Sequence, residues 1–232
     1  MKYNIIIVGC GGTGGNYVQD LGRYLYENPL QSQCRILIAD GDVVEEKNIG
    51  RQPFQRRDIG RKKAEVMQEV LTEVFGLKCD FYPEFITSKK DLEKFELRNA
   101  IPIIVGCVDN HACRRVMHEY FESTPTIYYL DSANEEYIGE VVVGMRMSNN
   151  EICPDRAHYF PEILNNSSPH KNELSCLERS EENPQHYVTN RTAANLLLKS
   201  TIDILEEQGW KGGIYYFNIR EGRTEFQEKV TE

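Results

Sequence analysis

Ile5-Ile6-Ile7-Val8-Gly9-Cys10-Gly11-Gly12-Thr13-Gly14-Gly15 is the stretch that decides the fold of this 232-residue chain. Four β-branched residues in succession favour a buried strand, and the abrupt change to small residues predicts a tight turn feeding a helix. The helix is expected over 16–27, with Val18, Leu21 and Leu25 on its apolar face and Asp20, Arg23 and Glu27 on the wetter side. Residues 35–40 then supply a second short apolar strand that ends in a carboxylate, Asp40, completing a βαβ unit. Gly9, Gly11, Gly12, Gly14 and Gly15 remove side-chain obstruction, so backbone amides at the helix entrance can approach an anion. Asp40 follows Gly11 by 29 residues, a spacing at which a strand-end carboxylate can accept ribose hydroxyl protons. The pattern is compatible with NAD, FAD or ATP, and equally with a turn of purely structural purpose.

Working outward, Gly60-Arg61-Lys62-Lys63 opens a segment in which Ala64, Met67, Leu71, Val74 and Phe75 recur at helical spacing. Strands are expected over 78–82, 101–108, 126–130, 137–147 and 214–219, and helices over 88–95, 111–121 and 192–206, leaving a polar tail. Short apolar runs alternating with helical segments predict an α/β fold: a Rossmann-like, mainly parallel sheet with helices on both faces, extended by carboxyl-terminal strands. Between 148 and 184 polar residues and prolines interrupt any apolar period, with Tyr159, Phe160, Ile163 and Leu164 as possible anchors. That stretch reads either as a mobile crossover segment beside an active site or as a set of small elements. A single domain over 1–232 accommodates all of this.

With 27 basic and 36 acidic residues the chain carries a formal charge of −9, which argues against a general polyanion surface; nucleic acid is not the expected partner. Seven scattered cysteines without a CxxC pair, and no secretory signal or membrane-spanning run, suit free thiols and a cytoplasmic location.

The chemistry narrows in Asp40-Gly41-Asp42-Val43-Val44-Glu45-Glu46-Lys47-Asn48-Ile49-Gly50-Arg51-Gln52. Together with the glycine turn, the Gly60-Arg61-Lys62-Lys63 opening, and Val105-Gly106-Cys107-Val108-Asp109-Asn110 followed by Arg114, this run resembles the E1-like, or ThiF/MoeB/HesA, adenylating superfamily. The ordered combination is far more specific than any one motif and spans about two-thirds of the chain. The resemblance implies ATP and Mg2+ as cofactors and adenylation of a carboxylate, the carboxyl terminus of a small ubiquitin-like or sulfur-carrier protein with a Gly-Gly tail. It implies ribose contacts from Asp40, phosphate contacts from Arg51 and Lys63, and magnesium held by Asp109. Asn48, Gln52 and Asn110 join the nucleotide-binding set; read without the family, Asn48 and Asn110 could instead be turn or helix caps, and Arg51 and Lys63 surface cations. A homodimer is also implied.

Further residues, Ser175-Cys176, Gln185, Asn190, the 193–198 helix and Gly212-Gly213-Ile214-Tyr215-Tyr216-Phe217-Asn218, resemble more particularly the ThiF-family proteins of PRTRC gene systems. Cys176, with Arg179 three residues on, is either a thioester nucleophile or a structural thiol. Two features depart from many relatives: the paired-cysteine zinc motif is absent, and the first strand begins where relatives carry a helix whose arginine reaches the partner subunit's ATP. Arg23 or the Arg56-Arg57 pair are the candidates for a replacement phosphate contact. The competing readings are a dinucleotide-dependent oxidoreductase and a nucleotide-binding scaffold without catalysis.

Overall fold

The computed structural model describes residues 2–165, 186–207 and 211–228. Strand β1 (Tyr3–Val8) is buried along its whole length because it lies at the centre of the parallel half of the sheet, flanked by β2 (Cys34–Ala39) and β4 (Ile101–Gly106). Both neighbours run parallel to it in unbroken register, Val8 opposite Ala39 on one side and Gly106 on the other. Strand β3 (Cys79–Tyr82) extends the parallel half beyond β2, and β5 (Ile127–Asn134) extends it beyond β4. The chain then turns antiparallel through β6 (Ile138–Met147), β7 (Asn150–Cys153), β8 (Gly213–Asn218) and β9 (Arg223–Glu228). Among the described residues the result is a nine-stranded mixed sheet in the order β3-β2-β1-β4-β5-β6-β8-β9, with β7 paired to β6.

Alternation within β1 divides the core. Ile5 and Ile7 face α1 (Gly12–Leu25), α2 (Lys63–Glu69) and the long final helix, α7 (Tyr187–Leu205), while Ile6 and Val8 face α3 (Lys89–Glu93) and α4 (His111–Ser123). Helices thus cover both faces, as the sequence pattern requires. The expected carboxyl-terminal strands are also present, but every pairing from β5 onward is antiparallel, so the sheet is evenly mixed rather than mainly parallel.

Several boundaries move for identifiable reasons. Helix α1 begins at Gly12 rather than residue 16, because the glycine turn itself winds into the helix. Helix α7 begins five residues before the expected 192, with His186 as its cap. The expected polar tail contains β9, whose exposed, charged pattern is that of an edge strand and carries little apolar signal. Within 148–165 lie β7, α5 (Arg156–Tyr159) and α6 (Glu162–Asn165), each four residues long and too short for a period to register. Of the anchors expected there, Ile163 is buried while Leu164 is exposed. Residues 166–185, including Cys176 and Gln185, lie outside the described residues.

Candidate nucleotide site at the strand switch

Chain order reverses between β1 and β4, so the loops leaving β1, β2 and β4 meet along one edge of the parallel sheet. In open α/β sheets a crevice forms at this point. Gly9 takes φ +94°, and a Cβ there would lie 2.7 Å from the Cys107 carbonyl oxygen; the turns after β1 and β4 are packed backbone to backbone. A Cβ on Gly14 would meet the Gly9 carbonyl at 1.9 Å, and one on Gly12 would meet Asn190 Nδ2 at 2.2 Å. Gly11 differs: only Gln52 Nε2, at 3.8 Å, comes near a Cβ placed there. The glycine run therefore splits its duties: Gly9, Gly12 and Gly14 let the chain pack, and Gly11 opens toward the crevice.

Helix α1 starts at this turn with no side-chain cap on its Gly11 position and no acid in its first turn. Its amino-terminal amides and dipole are thus left to favour an anion. Asp40, nearly buried, holds the turn in shape: Oδ2 accepts from the Cys10 amide at 2.6 Å and Oδ1 from the Asp42 amide at 2.8 Å. Each oxygen keeps a second lone pair for a ligand hydroxyl.

The segment after β2 wraps around Asn48. Its Oδ1 accepts from the Glu45 amide at 2.8 Å, and its carbonyl accepts from the amides of Arg51 and Gln52 at 3.1 and 2.8 Å. Asn48 is buried and organises the loop that carries Arg51 and Gln52. Arg51 Nε and Gln52 Oε1 are buried yet have no hydrogen-bond partner among the described residues. Native interiors rarely leave such atoms unsatisfied, so this pair points to a ligand.

Lys63, at the first position of α2, is 5% exposed, and its Nζ lies 3.3 Å from Asp42 Oδ2. Asp42 was not singled out from the sequence; the one signal was its place two residues after Asp40. On the far side of the glycine turn, Asp109 is exposed beyond the end of β4. Asn110 caps α4, its Oδ1 accepting from the Cys113 amide at 2.8 Å. Arg114 Nη2 holds the Val108 carbonyl at 2.7 Å. His111, two residues after Asp109, has a buried Nδ1 without a partner among the described residues, and burial followed by the nearby Arg114 charge holds its pKa below the usual histidine range.

The loops after β1 and β2 carry Gly9, Gly11, Gly12, Gly14, Asp40, Asn48, Arg51, Gln52 and Lys63, while Asp109 and Asn110 follow Cys107, whose carbonyl packs on Gly9, and the Asn110 side chain is taken up in capping α4. The crevice does not gather the other proposed cations. Arg23 sits in the last turn of α1, paired with Asp20 and about 16 Å along the axis from Gly12, so it cannot serve the turn. Arg56 and Arg57 are both 80% exposed, with Arg56 turned to Glu46 at 3.1 Å. Asn190 gains a position that its sequence context did not specify: its Oδ1 accepts from Asn134 Nδ2 at 2.7 Å and Thr13 Oγ1 at 3.2 Å, which docks α7 against the turn. Burial pushes the thiols of Cys10 and Cys107 well up, which makes both poor nucleophiles.

A family model described as the ThiF family matches residues 1–228. The ubiquitin-like modifier-activating enzyme 5 of Oryza sativa subsp. japonica is 28% identical over 131 residues, 50% of this chain and 29% of that protein. Escherichia coli MccB solved with ATP aligns with a TM-score of 0.69 and 18% identity over 97% of this chain and 63% of MccB. MccB solved with AMPCPP and MccA gives 0.70 and 17% over the same shares, and PaaA gives 0.69 and 15% over 97% of this chain and 64% of PaaA. At such identities the likeness is one of fold. The chain spans under a third of the curated relative and just under two-thirds of the solved ones.

Proposed function

This chain belongs to the ThiF family, and from that premise we propose that it adenylates a carboxylate with ATP, most specifically the carboxyl-terminal Gly-Gly tail of a small ubiquitin-like or sulfur-carrier protein. The observation that carries the reading is the uncapped α1 amino terminus beside the unpartnered Arg51 Nε and Gln52 Oε1. The α1 amides and Arg51 Nε are donors and suit a polyphosphate, Gln52 Oε1 is an acceptor and suits a ligand N–H or O–H, and Asp40 suits a ribose. MccB, similar in fold, has been solved with ATP, and the rice relative is by name a ubiquitin-like modifier-activating enzyme.

The carboxylate oxygen forms a bond to the α-phosphorus as the bond from that phosphorus to the bridging oxygen of pyrophosphate breaks. Both the attacking group and the phosphate are anionic, so the protein's task is to offset repulsion and hold the two in line. Backbone amides at 11–14 and the α1 dipole take the phosphate oxygens. Arg51 offers directional donors, and Lys63 a compact charge for the departing pyrophosphate. Among the described residues no group of three or more His, Cys, Asp or Glu forms a metal cage. Asp109 is the carboxylate assigned to Mg2+, which commonly binds through one or two carboxylates plus substrate phosphates. When bound, the ion would supply charge neutralisation and polarise the phosphorus.

Within this reading the chain is one adenylation domain of the PRTRC-type branch, cytoplasmic and homodimeric, and Cys176 is the candidate thioester acceptor. Cys176→Ala should retain AMP formation and lose any reductant-sensitive adduct; an undiminished adduct excludes it. Light scattering across a concentration series tests the dimer. The central test is exchange of labelled pyrophosphate into ATP with Mg2+ and proteins or peptides ending in Gly-Gly. Exchange should require the tail, and a folded Asp109→Asn, Arg51→Ala, Lys63→Ala triple variant should lose it. Normal exchange by that variant would refute the site.

A further inference from the structure

Behind the Asp109 loop lies a chain of charges, three buried and one half-buried, that the adenylation chemistry does not use directly. Asp131 in β5 is fully buried between two guanidinium groups, with Arg114 Nε at 3.3 Å and Arg156 Nε in contact with the same oxygen, Oδ2. Arg156, also buried, reaches on to Glu140 of β6 at 2.8 Å and lies over the Phe160 ring. Two arginines and two carboxylates balance in charge. Space for Asp131 comes from its register partner on β4, Gly106, where a Cβ would stand 2.4 Å from Asp131 Oδ1.

The near end of this chain touches the site. Arg114 Nη2 donates to the Val108 carbonyl at 2.7 Å and to the Ser132 carbonyl at 3.0 Å, clipping together the backbone beyond β4 and the body of β5. The Val108 carbonyl belongs to the peptide bond that leads into Asp109. On the other side Asn110 is fixed by the Cys113 amide. Asp109 is therefore bracketed, and one bracket depends on an arginine whose counter-charge is shared with Arg156.

We propose that Arg156 is a positioning residue for the Asp109 loop, acting through Asp131 and Arg114 on the Val108 carbonyl. Without Arg156, Asp131 is free to swing fully onto Arg114 and draw its guanidinium off that carbonyl, while Glu140 loses its cation. Loss of one member of a buried charge set is felt by the partners left behind. The metal-related half of this inference rests on the assignment of magnesium to Asp109; the structural half does not.

Amide hydrogen exchange in nucleotide-free protein tests the structural half. Arg156→Gln is expected to speed exchange at Cys107, Cys113 and Arg114, whose amides are bonded within or beside the loop, while leaving the β8–β9 pairing unchanged. ATP binding by calorimetry, with and without Mg2+, tests the rest. Binding without the metal should be unchanged, and the strengthening given by Mg2+ should fall about 10–100-fold, the usual cost of losing an outer-shell support. A double variant with Asp109→Asn should be no worse than Asp109→Asn alone. Arg156→Lys, which keeps the charge but not the two-pronged hold, should show the same local change at smaller amplitude and serves if the glutamine variant does not fold. Wild-type exchange rates in the folded variants would overturn the relay, as would faster exchange with intact Mg2+-dependent binding. If the unaltered protein binds ATP identically with and without Mg2+, the metal assignment itself fails, and the purpose given to Arg156 fails with it.

Discussion

The Cys10 amide donates to the Asp40 carboxylate at 2.6 Å, so the glycine turn after β1 hangs from the end of the neighbouring strand. The other oxygen of the same carboxylate accepts from the Asp42 amide. Both acceptors are needed. Asp40→Asn would set an NH2 donor against a backbone donor, and Asp40→Ala would leave both amides unmet. Each is expected to lower stability by about 1–3 kcal/mol and to weaken ATP binding. Urea unfolding beside titration calorimetry checks this; an asparagine variant as stable as wild type would show that Asp40 serves the ligand alone.

The glycines should separate by function. Gly14→Ala drives a methyl group into the Gly9 carbonyl, a backbone atom that cannot step aside, and is expected to cost about 2–4 kcal/mol of stability. Gly11→Ala meets only the Gln52 side chain, so stability should stay within about 0.5 kcal/mol while ATP binding weakens. Thermal unfolding and ATP titration of the two variants give the comparison, and equal destabilisation would contradict the assignment.

Lys63 and Asp42 form a nearly buried pair at 3.3 Å beside the crevice. Replacing Lys63 with Met should reduce pyrophosphate exchange by roughly 30- to 1,000-fold, the effect of losing about 2–4 kcal/mol of transition-state stabilisation. Asp42→Asn removes an anion from the neighbourhood of the phosphates and should tighten metal-free ATP binding by about 1 kcal/mol, near fivefold. Weaker metal-free binding in that variant would place Asp42 away from the phosphates.

His118 Nδ1 and Asp155 Oδ2 lie 2.8 Å apart, joining α4 to the residue that caps α5. The bond to Asp155 raises the histidine pKa above its ordinary 6.5, against the opposing effect of burial. Because the folded pKa exceeds the unfolded one, the stabilisation is complete below 6.5 and is lost as pH rises through the folded value. His118→Gln should therefore cost more at pH 5.5 than at pH 8.5. Denaturant titrations at both pH values measure the difference, and a larger cost at the higher pH would reverse the sign and refute the pairing.

Much of this molecule follows from local sequence. The β-branched run at 5–8, the glycine turn and the apolar strands at 35–40 and 101–108 dictate a parallel α/β sheet, since each signal arises from neighbours in the chain. Of the candidate site residues, Asp40 sits just past a strand and Lys63 and Asp109 at helix entrances, whereas Arg51 lies twelve residues beyond β2 and was legible only through the family resemblance. Tertiary structure alone decided what depends on atoms far apart in sequence. It paired Lys63 with Asp42 and brought Asn190 against Gly12, whereas the caps made by Asn48 and Asn110 close within three residues and were open to a reading from sequence. It also set Asp131 between Arg114 and Arg156. A buried charge is tolerated only where its counter-charges converge, and no period or motif along the chain records which distant arginine will meet which carboxylate.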